Sequence, residues 1–313
     1  MIRIFSYSRS STRMETPSIA ELPQHLEDED RIIWADLEDP DDEEMGVLGG
    51  LFGFHVLAAE DCIQGGYLPM LDLYDTYAFF VVHAIDIAEM DQHIQTIEVG
   101  CFLGARFLVT HHAKQVKGIF DARGKVAQNP GALLNAPDWL LHNIIDALTD
   151  HYGPAIDLLK SRIGNTNNNP AKIEKLNIEI ATLLQIGKLQ QSVLTRLAQD
   201  PLPYIQEARR IYYQNIQTHM VRSVQFLQSC ASHLAAHQTA SLVQANNQQV
   251  QKIRAVTAII TTFATAIFLT VLLKPEVRNL IYLSDKTWAI ISTLIIILVS
   301  GGIAGLFKFK KWF

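Results

Sequence analysis

The fold of this chain is decided by residues 248–274, which read QQVQKIRAVTAIITTFATAIFLTVLLK. Within this segment, Ala255–Leu273 is a run of 19 residues without a charged side chain. As a helix, the run would measure about 30 Å at about 1.5 Å per residue, which matches the hydrocarbon core of a bilayer. The pattern predicts that residues 255–273 form a transmembrane helix.

A second uncharged run of 20 residues, Trp288–Phe307, follows a connecting segment at 274–287. Two spans leave both ends of the chain on one side of the membrane. The residues before Ser10 lack the apolar core of a signal peptide, and the basic tail at 308–313 fits the positive-inside rule. We therefore predict a multi-pass protein of the cell (inner or plasma) membrane with both termini in the cytosol. Its partner is the lipid bilayer, and a purely soluble enzyme is excluded.

The region before the first run lacks helix breakers. Neither Pro nor Gly occurs from Tyr204 to Lys274, a stretch of 71 residues. One helix of that length would measure about 105 Å, and about 75 Å of it would extend beyond the bilayer. Its Leu and Ile residues lie on one face and need neighbouring helices to bury them. The sequence predicts a helical stalk region at 136–254 that continues directly into the first transmembrane helix.

Residues 1–135 have a different pattern, in which β-rich runs alternate with helical spacing. The predicted strands are Ile32–Leu37, Tyr77–Ile85, Ile94–Leu103 and Arg106–Thr110. After Pro137 the pattern is helical, with one helix predicted at Trp139–Ile163 and another at Ala171–Leu197. The predicted fold class is thus an α+β/α membrane protein. A cytosolic α/β domain precedes a long stalk helix that continues into the first of two C-terminal transmembrane helices.

Charge is distributed unevenly along the chain. Residues 1–100 carry a net charge of −17, and fifteen carboxylates but no Lys or Arg lie between Ile32 and Ala105. Such a surface repels phosphate, so nucleic acid is not expected as a partner. The stalk differs again, because no carboxylate occurs from Ala208 to Pro275. The chain also lacks Gly-x-Ser-x-Gly, His-Glu-x-x-His and Cys-x-x-Cys motifs, which predicts that it is not an enzyme.

Four local segments carry a resemblance to a known family. They are Phe52–Asp61 (FGFHVLAAED), Pro69–Tyr77 (PMLDLYDTY), Phe107–Thr110 (FLVT) and Leu148–Tyr152 (LTDHY). In this order, and with the long stalk helix and a short second span, they resemble the CorA family of divalent-cation transporters. The resemblance implies a homopentamer that moves a divalent cation, Mg²⁺ first and Co²⁺ or Zn²⁺ as alternatives, down its electrochemical gradient. It implies no other cofactor.

The family's signature is missing from the sequence. The family carries Gly-Met-Asn at the outer end of the first span, or Gly-Ile-Asn in zinc-transporting relatives, whereas this chain reads LTVLLK at 269–274. Two functions therefore stay open. The first is transport of a divalent cation, most of all magnesium, through an oligomeric pore. The second is a non-conducting, membrane-anchored sensor or scaffold that kept the fold and lost the selectivity filter.

In the family, symmetric copies of the first span line a central pore, which implies a polar helix face here. Thr257, Thr261 and Thr265 are spaced by four residues, so they share a face whose hydroxyls can replace part of an ion's water shell. The further pore-lining candidates on or beside this face are Asn247, Gln251 and Thr262, and Glu276 is the candidate at the pore-mouth loop. The alternative interpretation is that each threonine bonds the carbonyl four residues back, or a neighbouring helix.

Arg254 affects this interpretation, because a ring of like charges on the pore axis would oppose cations. Alignment of Lys252 with the family's stalk lysine places Arg254 near the axis. Alignment of Pro275 and Glu276 with the family's loop shifts the register by about one turn and moves Arg254 aside. The sequence leaves both registers open.

Two sets of metal-ligating residue types lie outside the first span. In the family, cytosolic metal bound at subunit interfaces holds the pore shut, and Asp36, Asp39, Asp72 and Asp75 are the candidates here for such a regulatory site. The alternative is a solvated acidic surface. His233 and His237 are spaced by four residues, which lets two imidazoles face one metal, although a Zn²⁺ site needs more than two ligands.

Overall fold

The computed structural model describes residues 1–41, 44, 46, 50–166, 169–272 and 284–309. The chain divides into two compact units, Met1–Ala235 and Ala236–Phe313. The first unit contains the predicted α/β domain together with the helices after it. Of the pore candidates, Glu276 lies outside the described residues.

The described residues of the first unit form a mixed sheet of seven strands. The strands are β1 (Ile2–Ser8), β2 (Met14–Glu15), β3 (Arg31–Glu38), β4 (Met70–Leu73), β5 (Tyr77–Ile85), β6 (Thr96–Gly104) and β7 (Phe107–His112). Their order is β2-β1-β3-β7-β6-β5-β4. The β3–β7 pair is parallel and the other pairs are antiparallel. Each of the four strands predicted from the sequence is confirmed to within two residues at both ends.

Helices cover both faces of this sheet, which explains why all residues of β5 except His83 are apolar or aromatic. All nine residues of β5 are buried. Successive side chains of a strand point to opposite faces, so Phe79 and Val81 join one core while Phe80 and Val82 join the other. The first core is closed by α1 (Leu22–Glu27) and α2 (Val56–Gln64).

The second core is closed by the helices that follow β7. They are α3 (Lys117–Gln128), α4 (Pro130–Leu133), α5 (Pro137–Asp150), α6 (Tyr152–Gly164) and α7 (Pro170–Gln199). The α7 helix begins as its sequence predicts. Asn169 accepts hydrogen bonds from the backbone N–H groups of Ala171 and Lys172 at 3.0 and 3.3 Å, and Pro170 occupies the first helical position.

The single helix predicted at Trp139–Ile163 is wrong, because the structure has two helices there, α5 and α6, separated at His151. Pro154 lies in the first turn of α6, where its missing N–H costs no helical bond. A continuous helix would bring the Pro154 ring against the carbonyl of Asp150, the last residue of α5. The break was therefore readable from the sequence.

The long helix predicted from the absence of breakers is α8, Arg210–Leu272, with 63 residues. A turn of 3₁₀ helix at Glu207–Arg209 precedes it. In the first unit, α8 packs closely on α7 at Gly187, where an added Cβ would lie 3.2 Å from Met220 Cε and 3.3 Å from Val224 Cγ2.

The second unit contains the rest of α8 and the last helix, α9 (Asp285–Phe309). Among the described residues, one helix is long and apolar enough to cross a membrane, over Lys286–Ile303, with a mean hydropathy of 1.8 and no buried part. The span at 255–273 stays a prediction.

Candidate functional site

The predicted pore face lies on α8 within the second unit. An α-helix turns about 100° per residue, so four residues make one full turn plus about 40°. The side chains of Thr257, Thr261 and Thr265 are therefore each about 40° apart around the helix. The side chains of Asn247 and Gln251, one to three turns earlier on the helix, are exposed, as are those of Thr257 and Thr261. The helix therefore presents a polar strip between residues 247 and 265.

Every threonine of this strip donates its hydroxyl proton to a carbonyl of its own helix. The Oγ1 atoms of Thr257 and Thr261 donate to the carbonyls of Ile253 and Thr257 at 2.8 and 2.7 Å. Thr262 donates to Ala258 at 2.7 Å, and Thr265 donates to Thr261 and, at 3.2 Å, to Thr262. Since the proton is held inside the helix, the oxygen lone pairs are left to face outward, as a cation ligand requires.

Exposure divides the four threonines into two pairs. Thr257 and Thr261 are exposed, whereas Thr262 and Thr265 are partly buried on the side of the helix that carries the fully buried Ala258. The opposite side is apolar and exposed, with Val256, Ile260, Phe263 and Ile267 between 55% and 67% accessible. Thr257 and Thr261 are thus the members of the strip best placed to meet an ion.

Asp36, predicted as part of a regulatory metal site, lies inside the first unit on β3. Its side chain is fully buried. The Oδ1 atom accepts a hydrogen bond from Thr110 Oγ1 at 2.6 Å and lies 3.1 Å from His112 Nε2, and Oδ2 lies 3.1 Å from a guanidinium nitrogen of Arg123. Arg123 also pairs with Glu38 at 2.8 Å. Asp36 is thus one part of an internal ion-pair network, which corrects its assignment to a surface metal site.

The other three carboxylates of that prediction are exposed but lie apart. Asp39 follows β3, whereas Asp72 lies on β4 and Asp75 just after it. The order of the sheet places four strand spacings between β3 and β4, about 19 Å at about 4.8 Å each. One chain therefore does not bring the two sets together, and any shared metal would need carboxylates from a second copy.

The histidine pair also lacks a complete ligand set. His233 and His237 both lie on α8, with His233 exposed and His237 partly buried. In the part of the chain that the structure describes, no group of three or more His, Cys, Asp or Glu side chains is arranged to hold a metal ion.

A second ion-pair network, centred on the buried carboxylate of Glu179, carries no signal in the sequence. Glu179 of α7 is almost fully buried, and its Oε1 atom lies 2.6 Å from Nδ1 of His93. Its Oε2 atom pairs with Arg162 of α6 at 3.0 Å, and Arg162 also donates to the carbonyls of Met90 and Asp91 at 2.8 and 2.6 Å. The network fixes the β5–β6 turn to the two helices. No sequence signal links these residues, since His93 and Glu179 are 86 positions apart.

Comparison with known proteins decides the family. The family model described as CorA-like Mg²⁺ transporter protein matches residues 29–311. The chain belongs to this family. Membership confirms the resemblance found in the four local segments, and it places the chain among membrane proteins and outside the enzymes.

Curated relatives share less than 30% sequence identity with this chain, and the matches cover only part of its length. The chain is 29% identical over 207 residues to the putative metal ion transporter YfjQ of Bacillus subtilis, and the matched part covers 63% of each chain. It is 21% identical to the cobalt/magnesium transport protein CorA of Thermotoga maritima, over 85% of this chain and 78% of that one. A match to the magnesium transporter ALR2 of Saccharomyces cerevisiae covers only 19% of that protein. The matched parts thus cover less than two thirds of YfjQ and of ALR2.

Solved structures share the fold over the whole chain. The CorA magnesium transporter of Methanocaldococcus jannaschii matches with a TM-score of 0.78 at 15% identity and covers 100% of this chain and 99% of its own. The full-length CmaX protein matches with a TM-score of 0.74 at 12% identity, over 99% and 97%. At these identities the likeness shows the fold alone. That shared fold is an α/β domain followed by a long helix.

Proposed function

We propose that this chain moves divalent metal cations, Mg²⁺ first, across the cell membrane through a pore of a homo-oligomer. The observation that carries the proposal is the match of the family model over residues 29–311, because it includes both α8 and α9. The names of curated relatives specify metal ions, cobalt, magnesium and zinc. The family's oligomeric pores and the exposed apolar side chains of α8 and α9 support self-association, which we take to be pentameric.

The proposed topology has two spans, 255–273 and 288–307, with both termini in the cytosol. The apolar side of α8 and the exposed Ile290, Leu294 and Leu298 of α9 would then contact lipid or neighbouring helices. The membrane potential contributes about 2.3 kcal/mol per charge per 100 mV, hence about twice that for a divalent cation. No hydrolysis of a nucleotide is needed.

One observation favours the second function, a non-conducting sensor or scaffold. The chain has neither Gly-Met-Asn nor Gly-Ile-Asn, and α8 carries no carboxylate from Arg210 to Leu272. A cation passing along α8 would therefore be coordinated by neutral oxygens alone, which bind divalent ions more weakly than carboxylates do.

Flux through reconstituted protein separates the two functions. Full-length protein in liposomes that contain a Mg²⁺- or Zn²⁺-sensitive dye should give flux above empty vesicles. Thr261→Val should lower this flux about tenfold, which corresponds to about 1.4 kcal/mol, because a ring of exposed oxygens is lost from the pore face. Thr265→Val should act in the same direction by less, since Thr265 is partly buried.

Thr293→Val is the matched control for this measurement. Thr293 of α9 makes the same hydroxyl bond, to the carbonyl of Ala289 at 2.7 Å, but does not lie on the pore face of α8. Its flux should equal that of the unmodified protein. Absence of flux from correctly assembled protein would reject transport in favour of the sensor, and an unchanged rate in Thr261→Val would remove that threonine from the pore.

We further propose that Asp39, Asp72 and Asp75 bind a regulatory divalent cation between subunits, without Asp36. Millimolar Mg²⁺ should then raise the melting temperature of the oligomer by about 5 °C, since a ligand that binds only the assembled state stabilises it by mass action. The double variant Asp72→Asn/Asp75→Asn should lose the shift, measured by thermal unfolding with and without EDTA.

The matched control is Asp157→Asn. Asp157 is a surface carboxylate with 76% of its side chain exposed, paired with Lys160 in the same helix. This variant should keep the full effect of Mg²⁺. Equal melting temperatures for the unmodified protein in Mg²⁺ and in EDTA would contradict the regulatory site.

A further inference from the structure

Arg254 lies on the same helix face as the threonines. In α8 a residue seven positions away lies two turns along the helix and only about 20° around it. Asn247 and Thr261 stand at these distances before and after Arg254, and Thr257 lies one turn after it. The helix runs from Arg210 to Leu272 as one α-helical element, so this spacing applies throughout the polar strip.

This placement links Arg254 to the proposed pore face of Thr257 and Thr261. Any rotation of α8 that turns Thr257 and Thr261 toward a central axis turns Arg254 toward the same axis. Lys252 behaves differently, since it stands about 160° from Arg254 around the helix. Arg254 thus lies on the polar face and Lys252 on the opposite side, so the two basic side chains can be compared directly.

The threonine oxygens of the strip attract cations, whereas the positive charge of Arg254 repels them. The hydroxyl protons of Thr257 and Thr261 are donated to carbonyls within the helix, so the oxygens face outward as acceptors. Such a surface coordinates cations and offers little to anions. A guanidinium keeps its charge at every physiological pH, and it repels a divalent cation twice as strongly as a monovalent one.

We infer that Arg254 limits the entry of divalent cations, because symmetric copies of it form a ring of positive charge at the amino-terminal end of the threonine face. The inference rests on the proposed function and adds to it a residue that sets rate and selectivity.

The test compares three variants of the full-length protein in liposomes with a Mg²⁺-sensitive dye. Arg254→Gln should raise Mg²⁺ flux about tenfold or more, because the ring of charge is removed. Arg254→Lys should stay within about twofold of the unmodified protein, since the charge is kept. Lys252→Gln should also stay within about twofold, since Lys252 faces away from the strip. Size-exclusion chromatography confirms that each variant assembles.

Ionic strength gives a second readout that a merely structural role for Arg254 would not produce. Raising the monovalent salt concentration from about 0.02 M to about 0.5 M shortens the screening length several-fold, so Mg²⁺ flux through the unmodified protein should rise toward that of Arg254→Gln. Flux through Arg254→Gln should change much less.

The outcomes separate this inference from the proposed function. Equal, non-zero flux in the unmodified protein and Arg254→Gln would overturn the role of Arg254 and leave transport standing. Flux in Arg254→Gln alone would support the role of Arg254 and reject transport of Mg²⁺ by the native chain. No flux in either would overturn both. An increase in Lys252→Gln equal to that in Arg254→Gln would also overturn the inference, because it would show a general charge effect.

Discussion

Replacing Asp36 with alanine should lower the free energy of unfolding of the first unit by about 3 kcal/mol. Removal of one partner from a buried ion pair leaves an uncompensated charge, at a cost of about 3–5 kcal/mol. Here Arg123 is only 10% exposed and His112 is fully buried, so water does not replace the lost carboxylate. The lower end of the range is expected because Arg123 keeps its pair with Glu38.

Urea unfolding followed by tryptophan fluorescence measures this loss. Trp34 is fully buried, and its indole N–H donates to Thr110 Oγ1 at 3.1 Å beside Asp36, so its emission reports on this core. The control Asp157→Ala, at an exposed carboxylate, should change the free energy of unfolding by less than about 0.5 kcal/mol. Equal stability of Asp36→Ala and the unmodified protein would contradict the network. A loss seen in Mg²⁺ but not in EDTA would restore Asp36 as a metal ligand.

Acidification from pH 6.5 to pH 4 should destabilise the first unit by about 3 kcal/mol through His111 alone. Burial, and then the neighbouring His112, lower the pKa of His111 from 6.5 to about 4. The unfolded chain therefore binds this proton first as the pH falls. The stability contribution is complete above about pH 6.5 and is lost as the pH approaches 4.

The same sign applies to three further histidines of the first unit. Burial is the main cause that lowers the pKa of His83, His142 and His151. Denaturation midpoints should fall steadily as the pH is lowered from 7 to 4.5. The slope of unfolding free energy against pH gives the number of protons taken up on unfolding, and His111→Gln should lower that number by up to one. A slope in His111→Gln identical to that of the unmodified protein would contradict the prediction.

Much of the fold was readable from local pattern. The strand at Tyr77–Ile85 was predicted at its observed bounds because β-branched and aromatic residues favour strands. Helix α7 was predicted at Ala171–Leu197 from its helical pattern, and α8 was predicted because neither Pro nor Gly interrupts it. The break at His151 was missed although Pro154 marks it, since the apolar spacing continues on both sides of the break.

The candidate site was predicted less completely, because contacts between distant residues leave no local signal. Asp36 looks like its exposed neighbour Asp39 in sequence, and only the pairing of β3 with β7 brings it to Thr110 and His112. Glu179 looks like any helix carboxylate, and only the packing of α6, α7 and the β5–β6 turn buries it. The sequence therefore predicted a metal site at Asp36 and gave no role to Glu179.

The sequence by itself determined that this protein has an acidic α/β domain, a breaker-free helix and two uncharged runs. These properties follow from composition and spacing, which act through the nearest turns of the chain. Only the tertiary structure decided which carboxylates are ligand candidates and which are internal partners, since burial depends on strands and helices remote in sequence. The continuous α8 helix also placed Arg254 beside Thr257 and Thr261, because a rigid helix fixes the angle between residues whatever its register against neighbouring copies.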